Sequence, residues 1–184
     1  AYLIEKQLHE LAEKNRIYDE LEAKHGKQTD RICELLALCK DADADELRAY
    51  MKEIMLIGTY IKRSANLYFL GKEYEMLPQQ EIRLTFDEAV RALNAGGTEC
   101  GVAYLTTRAM RTSEVARLLE LVKDVVGMTR GGLHSLFLSL SDTEMNLSVE
   151  CEGDLLEVVS SKVTACMEEG LWLIRTQIGG GDNG

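Results

Sequence analysis

The stretch Leu47-Arg-Ala-Tyr-Met-Lys-Glu-Ile-Met-Leu-Ile-Gly-Thr-Tyr-Ile-Lys-Arg-Ser-Ala-Asn-Leu-Tyr68 decides the fold. Within it Leu47, Met51, Ile54, Gly58, Ile61, Ala65 and Tyr68 recur in strict steps of four and three, which places them on one seam of a single long helix. Just upstream, Asp43 and Glu46 have the spacing of a capping box, in which each side chain accepts from a backbone amide near the other. That pair sets the start of the helix and makes Lys40-Asp41-Ala42-Asp43 a tight turn.

Working outward toward the N-terminus, Ile4, Leu8, Leu11, Tyr18, Leu21, Ile32, Leu35 and Cys39 also fall on helical spacing, with no proline and one interior glycine, Gly26. The seam needs two successive three-residue steps between Asn15 and Leu21, a discontinuity that changes local winding. Two long helices on a short connection form an antiparallel hairpin. Each leaves an apolar face uncovered, and a second copy covers both in a four-helix bundle, so a homodimer is expected.

The only proline, Pro78, ends this rhythm, and the domain boundary is placed there, with a helical hairpin over 1–75 and a second domain over 76–184. Past it, Glu81–Leu84 reads as a short strand. Thr85-Phe86-Asp87-Glu88 reads as a capping box for a helix ending at Gly96-Gly97, and Glu99–Leu105 as a strand. Thr112 or Ser113 is expected to cap a helix carrying Val115, Leu118, Leu119, Val122 and Val126. Leu133–Leu140 and Met145–Glu150 alternate apolar and polar residues as a β-hairpin, Leu155–Met167 reads as a helix, and Leu171–Ile178 as a last strand before the Gly-rich tail. The fold class is α+β, a helical hairpin followed by a two-layer α/β sandwich.

The composition narrows the function. A net charge of −10 over 184 residues, with no basic stripe, argues against nucleic acid and anionic lipid as partners. The five cysteines lack paired zinc spacing and are odd in number for a disulfide framework, so they read as reduced, mostly buried thiols of a cytoplasmic protein. No apolar run is long enough to cross a bilayer, and direct membrane contact is not expected of this segment. The opening at Ala1-Tyr2-Leu3-Ile4, already inside a helical pattern, suits a piece of a longer protein that carries a membrane anchor upstream.

Three stretches carry a family resemblance. Arg16-Ile17-Tyr18-Asp19-Glu20-Leu21 followed by Gly26, Ile57 through Leu67, and Glu169-Gly170-Leu171-Trp172 resemble the acceptor helix, second helix and terminus of bacterial sensor histidine kinase cores. The resemblance spans nearly the whole chain. It implies a dimerisation-and-phosphotransfer hairpin joined to a histidine-kinase-like ATPase domain, with a response regulator or a partner kinase as further partner.

The resemblance also says where the family's chemistry should sit. The acceptor histidine and its acidic neighbour are expected directly after Leu21, where this chain has Glu22 and Ala23. A glutamate cannot form the phosphoramidate, and His25, three residues on, is the one nearby substitute. His9, far up the helix, and His134, in a strand-like stretch, have weaker claims. The magnesium-holding asparagine of the ATPase helix is replaced by Met128, although Asp124 remains a turn earlier. The adenine-reading Asp-x-Gly-x-Gly loop is reduced to Cys151-Glu152-Gly153-Asp154, and the chain between Gly153 and Leu171 is too short for a mobile lid.

Lys62-Arg63 reads as a solvated pair, and neither cofactor nor metal is expected. The reading is therefore a two-component-type signalling scaffold unable to bind ATP or autophosphorylate. The alternative is a histidine phosphotransferase or divergent kinase acting through His25.

Overall fold

The computed structural model describes residues 1–129 and 131–179. The chain divides into two compact units, 1–57 and 58–184. The division falls inside the second helix, whereas the sequence boundary at 75/76 marks where helical periodicity stops.

In the first unit, helix α1 spans Tyr2–Leu38, a short 3-10 turn covers Cys39–Asp41, and helix α2 starts at Ala44 and runs on to Glu73. The expected cap is present. The Asp43 amide donates to Glu46 Oε2 at 3.1 Å, while the Glu46 and Asp45 amides donate to Asp43 Oδ1 at 2.9 and 3.0 Å. Three first-turn donors thus find oxygens instead of being left unsatisfied. The antiparallel hairpin is clasped by Arg31, whose guanidinium donates to both carboxylate oxygens of Glu53 at 2.8 and 3.2 Å.

The seam of α1 is open: Ile4, Leu8, Leu11 and Tyr18 are each more than half exposed. Leu35 and His25 are buried.

The second unit takes in the last turns of α2, helices α3 (Gln79–Ala95) and α4 (Thr112–Met128), and seven strands. Strands β1 (Met76–Leu77) and β3 (Met110–Arg111) form a small antiparallel pair. The main sheet holds β2 (Glu99–Tyr104), β4 (Leu133–Leu140), β5 (Glu144–Cys151), β6 (Val163–Glu168) and β7 (Leu171–Gln177), in the order β2-β4-β5-β7-β6. Only β2 and β4 run parallel.

Alternation along the strands sorts the two faces of the sheet. Leu136, Leu138, Leu140, Met145, Leu147, Val149, Trp172 and Ile174 are buried, as are Ile82, Phe86 and Leu93 of α3 and Val115, Leu118, Val122 and Val125 of α4. The opposite face carries Ser135, Ser148, Arg175 and Gln177, with Phe137 lying over Gly101, where a Cβ would come within 2.8 Å of its ring. This is the expected two-layer α+β sandwich.

Four local expectations fail. Residues 81–84 are helical, because α3 starts at Gln79 behind Pro78, where the ring presets the backbone for a first turn. Thr85 is therefore interior, its hydroxyl donating to the Glu81 carbonyl at 2.9 Å. Neither Thr112 nor Ser113 caps α4: the N-cap is Arg111, and the Thr112 hydroxyl instead donates to the Tyr74 carbonyl at 2.7 Å, tying α4 to the chain leaving α2. Finally, 155–167 is not a helix. It is a 3-10 turn at Leu156–Val158 followed by the edge strand β6, which returns into β7 through Glu169-Gly170 with both φ angles positive.

The cysteines are also less buried than expected: Cys33 and Cys166 are exposed and the other three half-buried, all free thiols. No helix among the described residues is long and apolar enough to cross a membrane. The Gly-rich tail beyond Gly179 lies outside the described residues.

Candidate functional site

On α1, Glu22 and Ala23 are exposed, whereas His25 is only 3% exposed. One turn on, the Thr29 hydroxyl donates to the His25 carbonyl at 3.1 Å. An imidazole so covered must move before any phosphoryl group reaches it. His9 is exposed, and His134 at the start of β4 has Glu152 Oε1 3.7 Å from its Nε2, an acidic neighbour supplied across the hairpin and invisible in the local sequence.

Asp124 and Met128 lie in the last turns of α4. Asp124 is not free there: Lys123 Nζ lies 3.1 Å from its Oδ1 and 2.7 Å from Glu120 Oε1. Tyr60 donates its hydroxyl to Glu120 as well, and Lys123 sits 5.0 Å over the Tyr60 ring. Burial, reinforced by the Glu120 carboxylate, pushes the Tyr60 phenol up to about 12. Burial acts to lower the Lys123 ammonium, but Glu120 and Asp124 more than offset it and hold the group above its usual value. Tyr60, Glu120, Lys123 and Asp124 thus form a closed polar cluster that joins α2 to α4, and sequence reading missed it because its members lie sixty residues apart.

Beyond β5, the connection over 152–162 is packed down. Leu155 is fully buried and Val158 is 8% exposed. Asp154 Oδ1 accepts from the Leu156 amide at 2.8 Å, and the Gly153 carbonyl accepts from Trp172 Nε1 at 3.3 Å. Two apolar plugs and its own hydrogen bonds thus anchor this connection, while the residues between them are exposed. Met128 is half-buried at the helix end, and a Cβ at Gly132 would come within 3.2 Å of the Glu152 side chain, closer than ordinary van der Waals contact.

Lys62 and Arg63 do not form a solvated pair. Lys62 is exposed, but Arg63 is buried, with its Nε 2.7 Å from Glu88 Oε2. Among the described residues no group of three or more His, Cys, Asp or Glu could hold a metal ion.

No protein-family model matches the chain, and no curated protein does. Among solved structures it is similar to a bacterial phosphotransferase, at 12% identity and a TM-score of 0.44 over 88% of this chain and 91% of that one. It is also similar to the histidine kinase domain of a blue-light activated histidine kinase from Erythrobacter litoralis, at 12% identity and a TM-score of 0.46 over 83% and 95%. A third is the histidine kinase AdeS of Acinetobacter baumannii, at 11% identity and a TM-score of 0.38 over 86% and 96%. At these identities and TM-scores no family and no residue's role follows from the likenesses.

Proposed function

We propose that this chain is a dimeric two-component-type signalling module that neither binds ATP in the manner of a kinase nor phosphorylates itself. The observation that carries the reading is the connection over 152–162, pinned by Leu155 and Val158 where a nucleotide lid would need a long free segment. Met128 supports it, since a thioether offers no oxygen to a magnesium ion at the end of α4. The open seam of Ile4, Leu8, Leu11 and Tyr18 supports a second copy as the partner, for burying each such side chain contributes roughly 1.5–3 kcal/mol. In this reading the hairpin passes helix motion to the sandwich, which acts as a docking or regulatory domain.

Incubation with magnesium-ATP tests it. No acid-labile label and no change in label on adding a partner kinase or phosphorylated response regulator are expected. The second reading keeps His25 as a phosphoryl acceptor, and its favouring observation is that His25 lies in α1 within one helical turn of Glu22 and Ala23, the positions where the acceptor pair is missing. A label that appears and is lost in His25→Ala would replace the first reading with this one.

A further inference from the structure

At the N-terminal end of α4, away from the cluster just described, the second unit has an open cleft of about 960 Å³ floored by β6 and β7. Seventeen residues of helix separate the two ends of α4, about 25 Å at 1.5 Å per residue, so the cleft and that cluster are distinct places.

Its charge runs against the whole chain. Arg108, Arg111, Arg117, Lys162 and Arg175 line it, against only two carboxylates, Glu114 and Asp142, in a protein of net charge −10. Both carboxylates are already engaged. Glu114 accepts from Arg117 Nη2 at 2.6 Å and Nε at 3.1 Å. Asp142 accepts from the Thr106 hydroxyl and has Arg108 Nε at 3.6 Å.

Arg117 is spent on structure, since it also donates to Thr176 Oγ1 and the Gln177 carbonyl, each at 2.8 Å. Arg175 is steadied by Asn146 Oδ1 at 2.9 Å, with Glu144 at 3.6 Å. Among the described residues the side chains of Arg111 and Lys162 form no hydrogen bond or ion pair within 4.0 Å, although the Glu114 carboxylate, held below its usual range mainly by Arg117, also feels Lys162 from a greater distance. Cations that share one concavity with so little close compensation repel each other unless an anion lies between them. The positive end of the α4 dipole adds to the same field: its N-cap Arg111 contributes no capping side chain, while the Thr112 amide is taken by the Glu75 carbonyl at 2.8 Å. Guanidinium forks match the tetrahedral, multiply charged oxygens of phosphate, and a volume this large exceeds what one phosphate fills.

We propose that this cleft is a binding site for a small soluble anion bearing two or more phosphate groups, gripped between Arg111 on the α4 side and Lys162 and Arg175 on the β6–β7 side.

Inorganic pyrophosphate without magnesium is the probe, because it has no adenine for the other end of α4 and so fails or succeeds independently of the kinase question. Titration calorimetry on the whole chain should show saturable binding, at least tenfold tighter than inorganic phosphate or sulfate at equal ionic strength. The double reversal Arg111→Glu/Lys162→Glu should weaken it more than tenfold. Lys27→Glu/Arg48→Glu, which changes net charge equally on exposed sites of the first unit, should leave it within twofold. All four positions are exposed, so both variants should keep the wild-type circular dichroism. Absence of pyrophosphate binding, equal binding of sulfate, or equal loss in the two double variants would overturn the assignment.

Discussion

Arg63 and Glu88 form an ion pair inside the second unit: Nε to Oε2 is 2.7 Å, with the arginine side chain 8% and the glutamate 18% exposed. Lys62 reaches the same carboxylate at 3.2 Å from the solvent side. The pair joins the last turns of α2 to α3. Removing one partner of such a pair strands the other charge out of water, at a cost of about 3–5 kcal/mol, while replacing both with apolar groups is far milder. Glu88→Ala should therefore lower the denaturation midpoint much more than Arg63→Met/Glu88→Leu does. A double variant as unstable as Glu88→Ala in urea titrations would show that packing, not the stranded charge, sets the loss.

The turn of the helical hairpin rests on Asp43. Its carboxylate accepts two amides at the start of α2, and Ala at an N-cap costs roughly 1 kcal/mol. Asp43→Ala should destabilise the chain by about that amount, and Asp43→Asn or Asp43→Ser should recover most of it. If Asn and Ser fare no better than Ala, the cap is not what holds this turn.

The parts of the fold that could be read from sequence were those whose signal is local and repeated. Steps of four and three along α2 need only neighbouring residues, as does the Asp43–Glu46 box; the helix and the box appear in the structure, but the residues that α2 buries are Tyr60, Arg63, Ser64 and Leu67 and none of the seam. The strand alternation of Leu136, Leu138 and Leu140 is equally local. The misread segments are short and ambiguous. Ile82 and Leu84 suit a strand or a helix, and the choice was made by Pro78 as a helix starter. Leu155, Val158 and Val159 imitate helical spacing, but Ser160-Ser161 breaks it and β6 gains its stability by pairing with β7.

The sites were less legible still. Arg63 finds Glu88 across two helices, and the cations of the cleft come from positions 108 to 175, so only the tertiary fold assembles them. His25 was picked out by its residue type and position alone; that it is buried could not be read from a seam as polar as that of α1.

The Tyr60 phenol gives a pH signature. Its pKa is raised from 10.0 to about 12, first by burial and then by its hydrogen bond to Glu120. A raised folded-state pKa means that the stabilisation is fully present below pH ~10 and is lost as pH climbs from there through about 12. Absorbance titration near the tyrosinate band should show two tyrosines ionising after the exposed ones, Tyr60 first and Tyr104, raised further by burial and by its bond to Asp87, after it. The first of these late steps should vanish in Tyr60→Phe while the second persists; loss of neither would assign the step to another tyrosine.

The last prediction separates dimerisation from folding. Leu11 lies on the seam of α1 and is 55% exposed in the single chain, so a charge there costs the isolated fold little. In a bundle of two hairpins the same charge is carried into an apolar seam against another copy, where an unpaired carboxylate is strongly disfavoured. Leu11→Glu should therefore halve the mass seen by light scattering at micromolar concentration while leaving the helical circular dichroism unchanged. Glu34→Gln, off the seam and exposed, should change neither. A wild-type chain that is already monomeric at that concentration would remove the bundle and, with it, the route by which the hairpin transmits motion.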